Sequence, residues 1–500
     1  MPNKKRFYSI SIILLVYAVF FQVLQSCSQP NGNNAENTGE TKNNGLDSQK
    51  INSEAADTED VPELNFNGET VSILYRDYME YEVEAEAEIG EPVNDAVYRR
   101  NIAVEERLNV KFNMIPVSGT WDYREEFLSR IKNSVSSGDN AYEIVQGYAA
   151  YIVGLHSGGY LTNWKNIPYV DFEKPWWNKD FVDEMTLNDR LYFTTGDLAL
   201  SLIWEANTLF FNKKMWQNYG FEKTPYEMVK TGKWTLDNMY SITKQVSQDL
   251  NSDGKYTEND LYGYVTDTHN QIDAYIEAFD VPVTKRNEAG IPYFVIEEDK
   301  FSSAFFKLFE FVRQNVSTYA GIEQPITTDI YSLYRPIFED ERALILAEYL
   351  GNSSQMRDYD FDFGILPFPK LDESQGNYYT KSQDGYTMFC VPATVINLEK
   401  IGAVMEALSA ETYKSVLPAF YEVALKTKYA RDDDSSEMID IIRKGITFNF
   451  GVLYVVPLEN PHLQWRFLIT NNKNNIVSEV EKQMKKFQAN LQKVVDSYYE

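Results

Sequence analysis

A chain of 500 residues can bury a large core without disulfide staples, and its only two cysteines, Cys27 and Cys390, offer no disulfide framework. A formal charge of −27 with no long basic run excludes nucleic acid as a partner, because phosphate contacts demand clustered Lys and Arg. The 35 Tyr, 29 Phe and 8 Trp exceed what a core alone calls for and point to an aromatic-rich binding surface.

Residues 1–26 read as a targeting segment. Lys4, Lys5 and Arg6 precede a mostly apolar stretch from Phe7 to Leu24, the pattern that keeps a front end cytoplasmic and sends the rest across. Leu24-Gln25-Ser26-Cys27 then resembles a bacterial lipoprotein signal, which implies cleavage before Cys27 and lipidation of its thiol. The alternative is an uncleaved helix, since 18 residues can just span a bilayer. Residues 27–65 read as a tether. Between 28 and 65 there are eight acidic residues, two basic ones and no aromatic, so the segment buries too little to offset the entropy of ordering. The expected location is the extracellular face of the cell membrane, lipid-anchored.

Folding is expected to begin near Phe66. Val71 to Tyr75 reads as a strand, Asp95 to Leu108 as a helix with a rough apolar stripe, and Val110 to Ile115 as a second strand. A helix over Tyr123 to Val135 and a strand over Tyr142 to Gly147 complete a parallel α/β series. A second body follows. Arg190 to Phe193 is strand-like, Leu198 to Glu205 is apolar, and Trp234 to Val246 is helical, with Thr235 as N-cap. Phe301 to Val316 has the periodicity of an amphipathic helix, and Arg342 to Tyr349 and Phe361 to Leu366 read as strands. Ile401 to Leu408 and much of Ala410 to Thr427 read as helix, with Pro418 expected to break or kink it. Asn475 to Tyr499 reads as a long closing helix, and Cys390, in the apolar run Tyr386 to Val391, as a buried thiol.

Taken in order, these features resemble the extracellular solute-binding proteins of ABC importers, in the family that includes maltose- and oligosaccharide-binding proteins. The resemblance covers roughly residues 68 to 450. It is carried by Tyr142 to Tyr148 running into Gly158-Gly159-Tyr160-Leu161, by Leu209-Phe210-Phe211-Asn212-Lys213, and by Gly232-Lys233-Trp234-Thr235. Phe363-Gly364-Ile365-Leu366-Pro367-Phe368-Pro369 and Gly385 to Ile396 complete it. It implies an α/β, periplasmic-binding-protein-like fold: two α/β lobes joined by a crossing-strand hinge. Residues 66–197 would form the first part of the N-terminal lobe, 198–384 the second lobe, 385–450 the return to the N-terminal lobe and 451–500 a closing helical segment. Crossings are expected near Ala199 to Trp204 and near Gly385 to Ala393. The implied role is capture of a carbohydrate, or another small polar solute, by a monomer that delivers it to ABC permease subunits.

Open α/β sheets bind ligands at strand ends and crossings, so candidate ligand residues are sought there. Tyr75, Arg76 and Asp77 follow the first strand, and Gly147 and Tyr148 the third. Trp204, Glu205 and Asn207 sit after the first crossing, Tyr349 ends a strand of the second lobe, and Asp384 and Tyr386 straddle the return crossing. Trp121, Trp164, Trp176 and Trp177 are expected to pack or to line a rim, and Trp216 and Trp234 to lie in the core. Residues 249–260 carry oxygen ligands at calcium-loop spacing: Asp249, Asn251, Asp253, the Lys255 carbonyl and Asp260, with Gly254 at the sharp turn. A structural calcium ion is one reading and an acidic turn the other. His156, His269 and His462 form no ligand motif, and no nucleophile motif is present. Enzymatic activity is therefore not expected. The rivals to import are a sensing or adhesion lipoprotein and, more remotely, a glycoside hydrolase, which needs two carboxylates at a set separation.

Overall fold

The computed structural model describes residues 59–321, 330–429 and 432–500. The expected lipidation at Cys27 lies outside the described residues, as does most of the expected tether. No described helix is long and apolar enough to cross a membrane.

Lobe 1 is built on a four-stranded sheet. Its strands are β1 (Glu69–Arg76), β2 (Val110–Val117), β3 (Ile144–Tyr148) and, from far along the chain, β11 (Thr387–Cys390), in the order β11-β3-β1-β2. β1 runs parallel to β2 and β3, while β11 lies antiparallel on β3. The parallel pairs need crossover connections, supplied by α1 (Pro92–Leu108) and α2 (Arg124–Ser137). α1 starts earlier than its apolar stripe implies, because Glu91 accepts from the Asn94 N–H at 2.7 Å and Pro92 suits a first turn. It ends on Asn109, at φ 48°.

Lobe 2 holds a five-stranded sheet of β4 (Asn207–Asn212), β5 (Tyr262–Val265), β8 (Thr318–Tyr319), β9 (Ala343–Tyr349) and β10 (Phe363–Leu366), in the order β10-β4-β9-β5-β8. β4 and β9 are buried along their whole length, with apolar runs Leu209 to Phe211 and Ala343 to Ala347 at their centres and Asn207, Thr208, Asn212 and Glu348 buried beside them. A two-stranded ribbon, β6 (Thr284–Arg286) with β7 (Pro292–Phe294), stands apart from this sheet. α3 (Asn270–Ala278) and α4 (Asp299–Phe309) cover the lobe; α4 gives way to a wide π-turn over Glu310–Gln314, which shortens the helix expected to reach Val316.

The lobes are joined several times. At the first crossing the chain makes a helical turn over Ser201–Trp204, where a strand-like crossing was expected, and then meets the return segment: Ala206 bridges Ser382, and the Gln383 N–H donates to the Glu205 carbonyl at 2.8 Å. α5 (Leu398–Glu411) packs on α1, and the chain then passes to lobe 2 through the wide helical turns Thr412–Val416 and Ala419–Tyr429. Pro418, which lacks the N–H that a regular turn would use, lies between them. α6 (Asp433–Lys444) packs beside β10, α7 (Gln464–Thr470) on α3, and α8 (Ile476–Asp496) closes the chain.

α8 serves both lobes. Ile476, Val480, Met484 and Phe487 join the core of lobe 2, whereas Leu491, Val494, Val495 and the following Tyr498 join the core that fills lobe 1. Both ends of the described chain also fasten to lobe 1: Arg107 holds Glu59 and the Val61 carbonyl, and Tyr498 packs on His156. Arg190 to Phe193 makes isolated bridges rather than a strand. Asn188 and Asp189, at φ 52° and 54°, close a tight hairpin that pairs Leu187 with Arg190. Trp164, Trp176 and Trp234 are fully buried, and Cys390 is buried within β11.

Candidate functional site

The ends of β1 and β3 meet the paired crossings, and charge collects there. Arg76 closes β1 fully buried. Its Nη1 donates to the Gly385 carbonyl at 2.5 Å and to the Tyr78 hydroxyl at 2.7 Å, and its Nη2 to Thr387 Oγ1 at 2.7 Å. The guanidinium lies 5.2 Å from the ring centre of Tyr78 and 5.4 Å from that of Tyr148. Burial works against its charge, but Tyr78, Glu205 and Glu82 outweigh it and hold the group protonated. Tyr148 stacks on Tyr151 at 5.1 Å, meets Trp121 at 6.2 Å and accepts from Gln383 Nε2 at 3.0 Å.

Glu205 is the floor of this cluster. Its Oε2 is buried without a partner, and burial pushes its carboxyl up to about 8; Arg76 opposes the shift while Glu82 and Asp384 add to it. Gly385 permits this approach, because a Cβ there would stand 2.8 Å from Glu205 Oε2. Lys381 pairs with Asp384 at the same crossing. Glu82 fastens the two crossings to lobe 1, accepting from the Ser201 N–H at 2.7 Å and from Thr387 Oγ1 at 2.5 Å.

Lobe 2 supplies the facing groups. Arg466, on α7, donates to Asp273 Oδ1 at 3.0 Å and to Asn270 Oδ1 at 3.3 Å. Burial lowers its pKa to about 10, against the fields of Asp267 and Tyr148. The field of Tyr148 thus reaches Arg466 from the other lobe. Asp267, beyond the end of β5, accepts from the His269 and Gln271 N–H groups at 2.9 Å, keeps a buried Oδ2 without a partner, and is pushed up to about 6 by burial. Glu348 in β9 is buried and binds Arg335 and Tyr334. Such a mix of rings, carboxylates and guanidinium groups suits a ligand rich in hydroxyls or amines.

The predicted residues divide by position. Arg76, Tyr148, Glu205 and Asp384 come together. Asp77 is exposed and accepts from Ser118 Oγ at 3.0 Å. Tyr75 is buried with its hydroxyl on Glu84, Gly147 lies under Ile152, and Asn207 turns its amide to the Lys381 carbonyl at 2.8 Å. Tyr349 is buried with its ring 6.4 Å from that of Tyr331. Tyr386 and Asp384 line a small cavity of about 20 Å³ shared with Glu277 and Phe448. Trp204 lines a different one, of about 310 Å³. Sequence reasoning passed over Glu82, Asp267 and Arg466. The polar turn Asp267-Thr268-His269-Asn270 after a strand follows the same strand-end rule and was findable; Arg466, inside a helix, carries no such signal.

In the 249–260 loop the Asp249 carboxylate accepts from the Ser252 and Gly254 N–H groups at 2.7 and 2.8 Å, Asn251 Oδ1 from Asp253 at 2.9 Å, and Asp253 Oδ1 from Lys255 at 2.8 Å. Gly254 takes φ 78°, the sharp turn the spacing calls for. Asp260 is buried and turned inward, accepting from the Leu250 and Thr257 N–H groups. Asp249, Asn251 and Asp253 thus accept from the backbone of their own turn, and Asp260 from the backbone at either end of it. Among the described residues no group of three or more His, Cys, Asp or Glu is placed to hold a metal ion.

No protein-family model matches the chain, and no curated protein matches it. Solved structures do. A cyclo/maltodextrin-binding protein complexed with maltotetraose is similar over 86% of this chain and 97% of its own, at 12% identity and a TM-score of 0.54. A family 1 extracellular solute-binding protein from Bifidobacterium longum subsp. infantis aligns over 85% and 99%, at 12% identity and 0.54. An ABC substrate-binding protein from Listeria monocytogenes in complex with cycloalternan aligns over 86% and 99%, at 10% identity and 0.51. With these shared folds and the two sheets joined by paired crossings, the chain has a periplasmic-binding-protein-like fold that resembles the ABC sugar-binding proteins.

Proposed function

We propose that the protein is a membrane-tethered solute-binding protein, not an enzyme, that captures a carbohydrate between its lobes and delivers it to an ABC permease. The observation that carries this reading is the cluster of Arg76, Tyr148, Glu205 and Asp384 where the strand ends of lobe 1 meet the crossings, with Arg466 and Asp267 of lobe 2 close enough to Tyr148 for the charge of Arg466 to feel it. Aromatic faces there would take the apolar face of a sugar ring, while partnerless carboxylate oxygens would accept from its hydroxyls. Lipidation of Cys27 would hold the binder near its permease. Calorimetry against a panel of oligosaccharides tests the reading. Tyr148→Ala is expected to weaken the best ligand about ten- to a hundred-fold, and Arg466→Ala likewise; unchanged affinity in both variants would remove the site from this face.

A calcium ion in the 249–260 loop is proposed as a purely structural addition. Its test is thermal melting with added calcium and with EDTA at constant pH. A calcium-dependent rise in Tm that Asp249→Asn abolishes supports the site, and identical melting curves refute it.

A further inference from the structure

We propose that the small cavity between Glu277 and Tyr386 receives the exocyclic hydroxymethyl arm of a sugar ring, so that the captured solute is built from hexose and not from pentose units. This rests on the carbohydrate reading above and narrows it.

The cavity lies where the return crossing is held between the lobes. The Ala149 and Ala150 N–H groups, just after β3, donate to the Tyr386 and Asp384 carbonyls at 3.2 and 3.1 Å, and Glu277 reaches the cavity from the last turn of α3 in lobe 2. Two side chains of its wall are more than nine-tenths buried, and each keeps a polar atom without a partner: Glu277 Oε2 and the Tyr386 hydroxyl. The Tyr386 ring packs edge-on against Phe448 at 6.1 Å, which limits the swing of its hydroxyl. Burial, Asp384 and Glu277 together hold that hydroxyl well above the ordinary tyrosine range, so it stays a donor in need of an acceptor. A buried donor and a buried carboxylate oxygen are each costly alone. One group set between them that both accepts and donates satisfies the two at once.

Size and charge decide which group that is. At about 20 Å³ the cavity admits a single water-sized group and no ring. Lys381 is already paired with Asp384. An ammonium arm would therefore face Lys381, and a carboxylate arm would face Glu277 and Asp384, in each case a like charge away from water. A neutral hydroxyl meets no such penalty. Burial pushes Glu277 up to about 7, with Lys381 opposing the shift and Asp384 adding to it, so its carboxyl takes both forms near neutral pH. A hydroxyl suits either form, since it donates to the ionised group and accepts from the protonated one. Ala149, Ala150, Phe448 and Val452 supply the apolar wall that the methylene of the arm calls for. Asp384 belongs to both places: it lines the cavity, and its charge is felt by Glu205 and Tyr148, so a ring held at that cluster is a neighbour of the cavity.

The test is calorimetry on the full chain with three tetramers: α-1,4-linked glucose, β-1,4-linked glucose, and β-1,4-linked xylose, whose ring is that of glucose without the hydroxymethyl arm. At least one glucose tetramer is expected to bind, and to bind about ten- to a hundred-fold tighter than the xylose tetramer, which leaves the buried donor and acceptor unpaired. Tyr386→Phe is expected to lower the affinity for that glucose tetramer about ten-fold, while Tm of the free protein stays the same or rises, because the hydroxyl removed has no partner in the protein. A hydroxyl whose role is structural alone, bridged to Glu277 by a retained water, would give the reverse; a lower Tm with unchanged affinity therefore overturns the subsite. Equal or tighter binding of the xylose tetramer also overturns it and leaves the carbohydrate reading standing. If none of the tetramers binds while another oligosaccharide of the panel does, the subsite alone falls; if no saccharide binds at all, both fall.

Discussion

Glu406 shows how much one buried carboxylate can organise. Trp176 and Trp177 each donate an indole N–H to it, at 3.0 and 2.8 Å, and the Asp171 N–H approaches at 3.4 Å. Removing the acceptor strands two buried donors, so Glu406→Ala is expected to cost about 2–4 kcal/mol in urea unfolding, and Glu406→Gln less, because the amide oxygen keeps one bond. Burial also pushes Glu406 up to about 7, Glu277 to about 7 and Glu205 to about 8. A carboxyl whose folded pKa lies above its unfolded value binds more protons in the native state, so its contribution is present at low pH and lost as the pH rises through the folded value. His462, lowered to about 3 by burial, acts in the opposite sense, as do His156 and His269, which burial also lowers, and their effect fades as the pH rises past the ordinary value of 6.5. Above about pH 7.5 the carboxylates therefore act alone, and Tm is expected to fall from there to about pH 8.5. Glu205→Gln should flatten the fall above pH 7; an unaltered slope would mean that Glu205 is ionised in the folded protein. For Trp176 and Trp177 the sequence left packing and a rim as the two readings, and both rings are buried. Their acceptor was not legible, since Glu406 is 230 and 229 residues away and only tertiary structure brings it near.

At the scale of elements, periodicity was a good guide wherever one face alone decides the structure. α8 was legible because Ile476, Val480, Met484, Phe487, Leu491 and Val494 recur at three- and four-residue steps, and the observed helix ends within three residues of the expected one. The π-turn after α4 and the wide turns around Pro418 were not legible as such, because periodicity shows a helical stripe without showing its pitch. What α8 packs against was hidden too, since the stripe is the same whichever lobe receives it. Phe487 sits where the service changes from lobe 2 to lobe 1 and is fully buried. Phe487→Ala is expected to cost about 3–5 kcal/mol by urea unfolding, and a loss below about 1 kcal/mol would show that the helix is not a structural tie between the lobes.

For the molecule as a whole, an α/β series followed from alternating strands and helices, and the two-lobed plan from the family resemblance that the order of the motifs carries. The candidate site was legible in half: Arg76, Tyr148, Glu205 and Asp384 all sit at strand ends or crossings, where chain topology alone points. Arg466 was missed because residues 451–500 read as packing helix, and no local signal shows that one of its side chains joins Asn270 and Asp273 near Asp267. If a solute is gripped at the Arg76–Tyr148–Glu205 cluster, amide hydrogen exchange should slow across Lys381 to Thr387, which carries the return crossing and its bonds to Glu205 and Arg76; exchange unchanged on saturation would place the solute elsewhere. The attachment of both ends of the described chain to lobe 1 sets a division of labour. If the proposed lipid at Cys27 fastens the front end, the molecule is built like a vice, with lobe 1 as the jaw fixed to the bench. Lobe 2 is then the travelling jaw, and α8, gripped by both, is the bar along which the travel must be accommodated. The face of lobe 2, not of lobe 1, would then be the part whose position tells a waiting neighbour that the vice has shut.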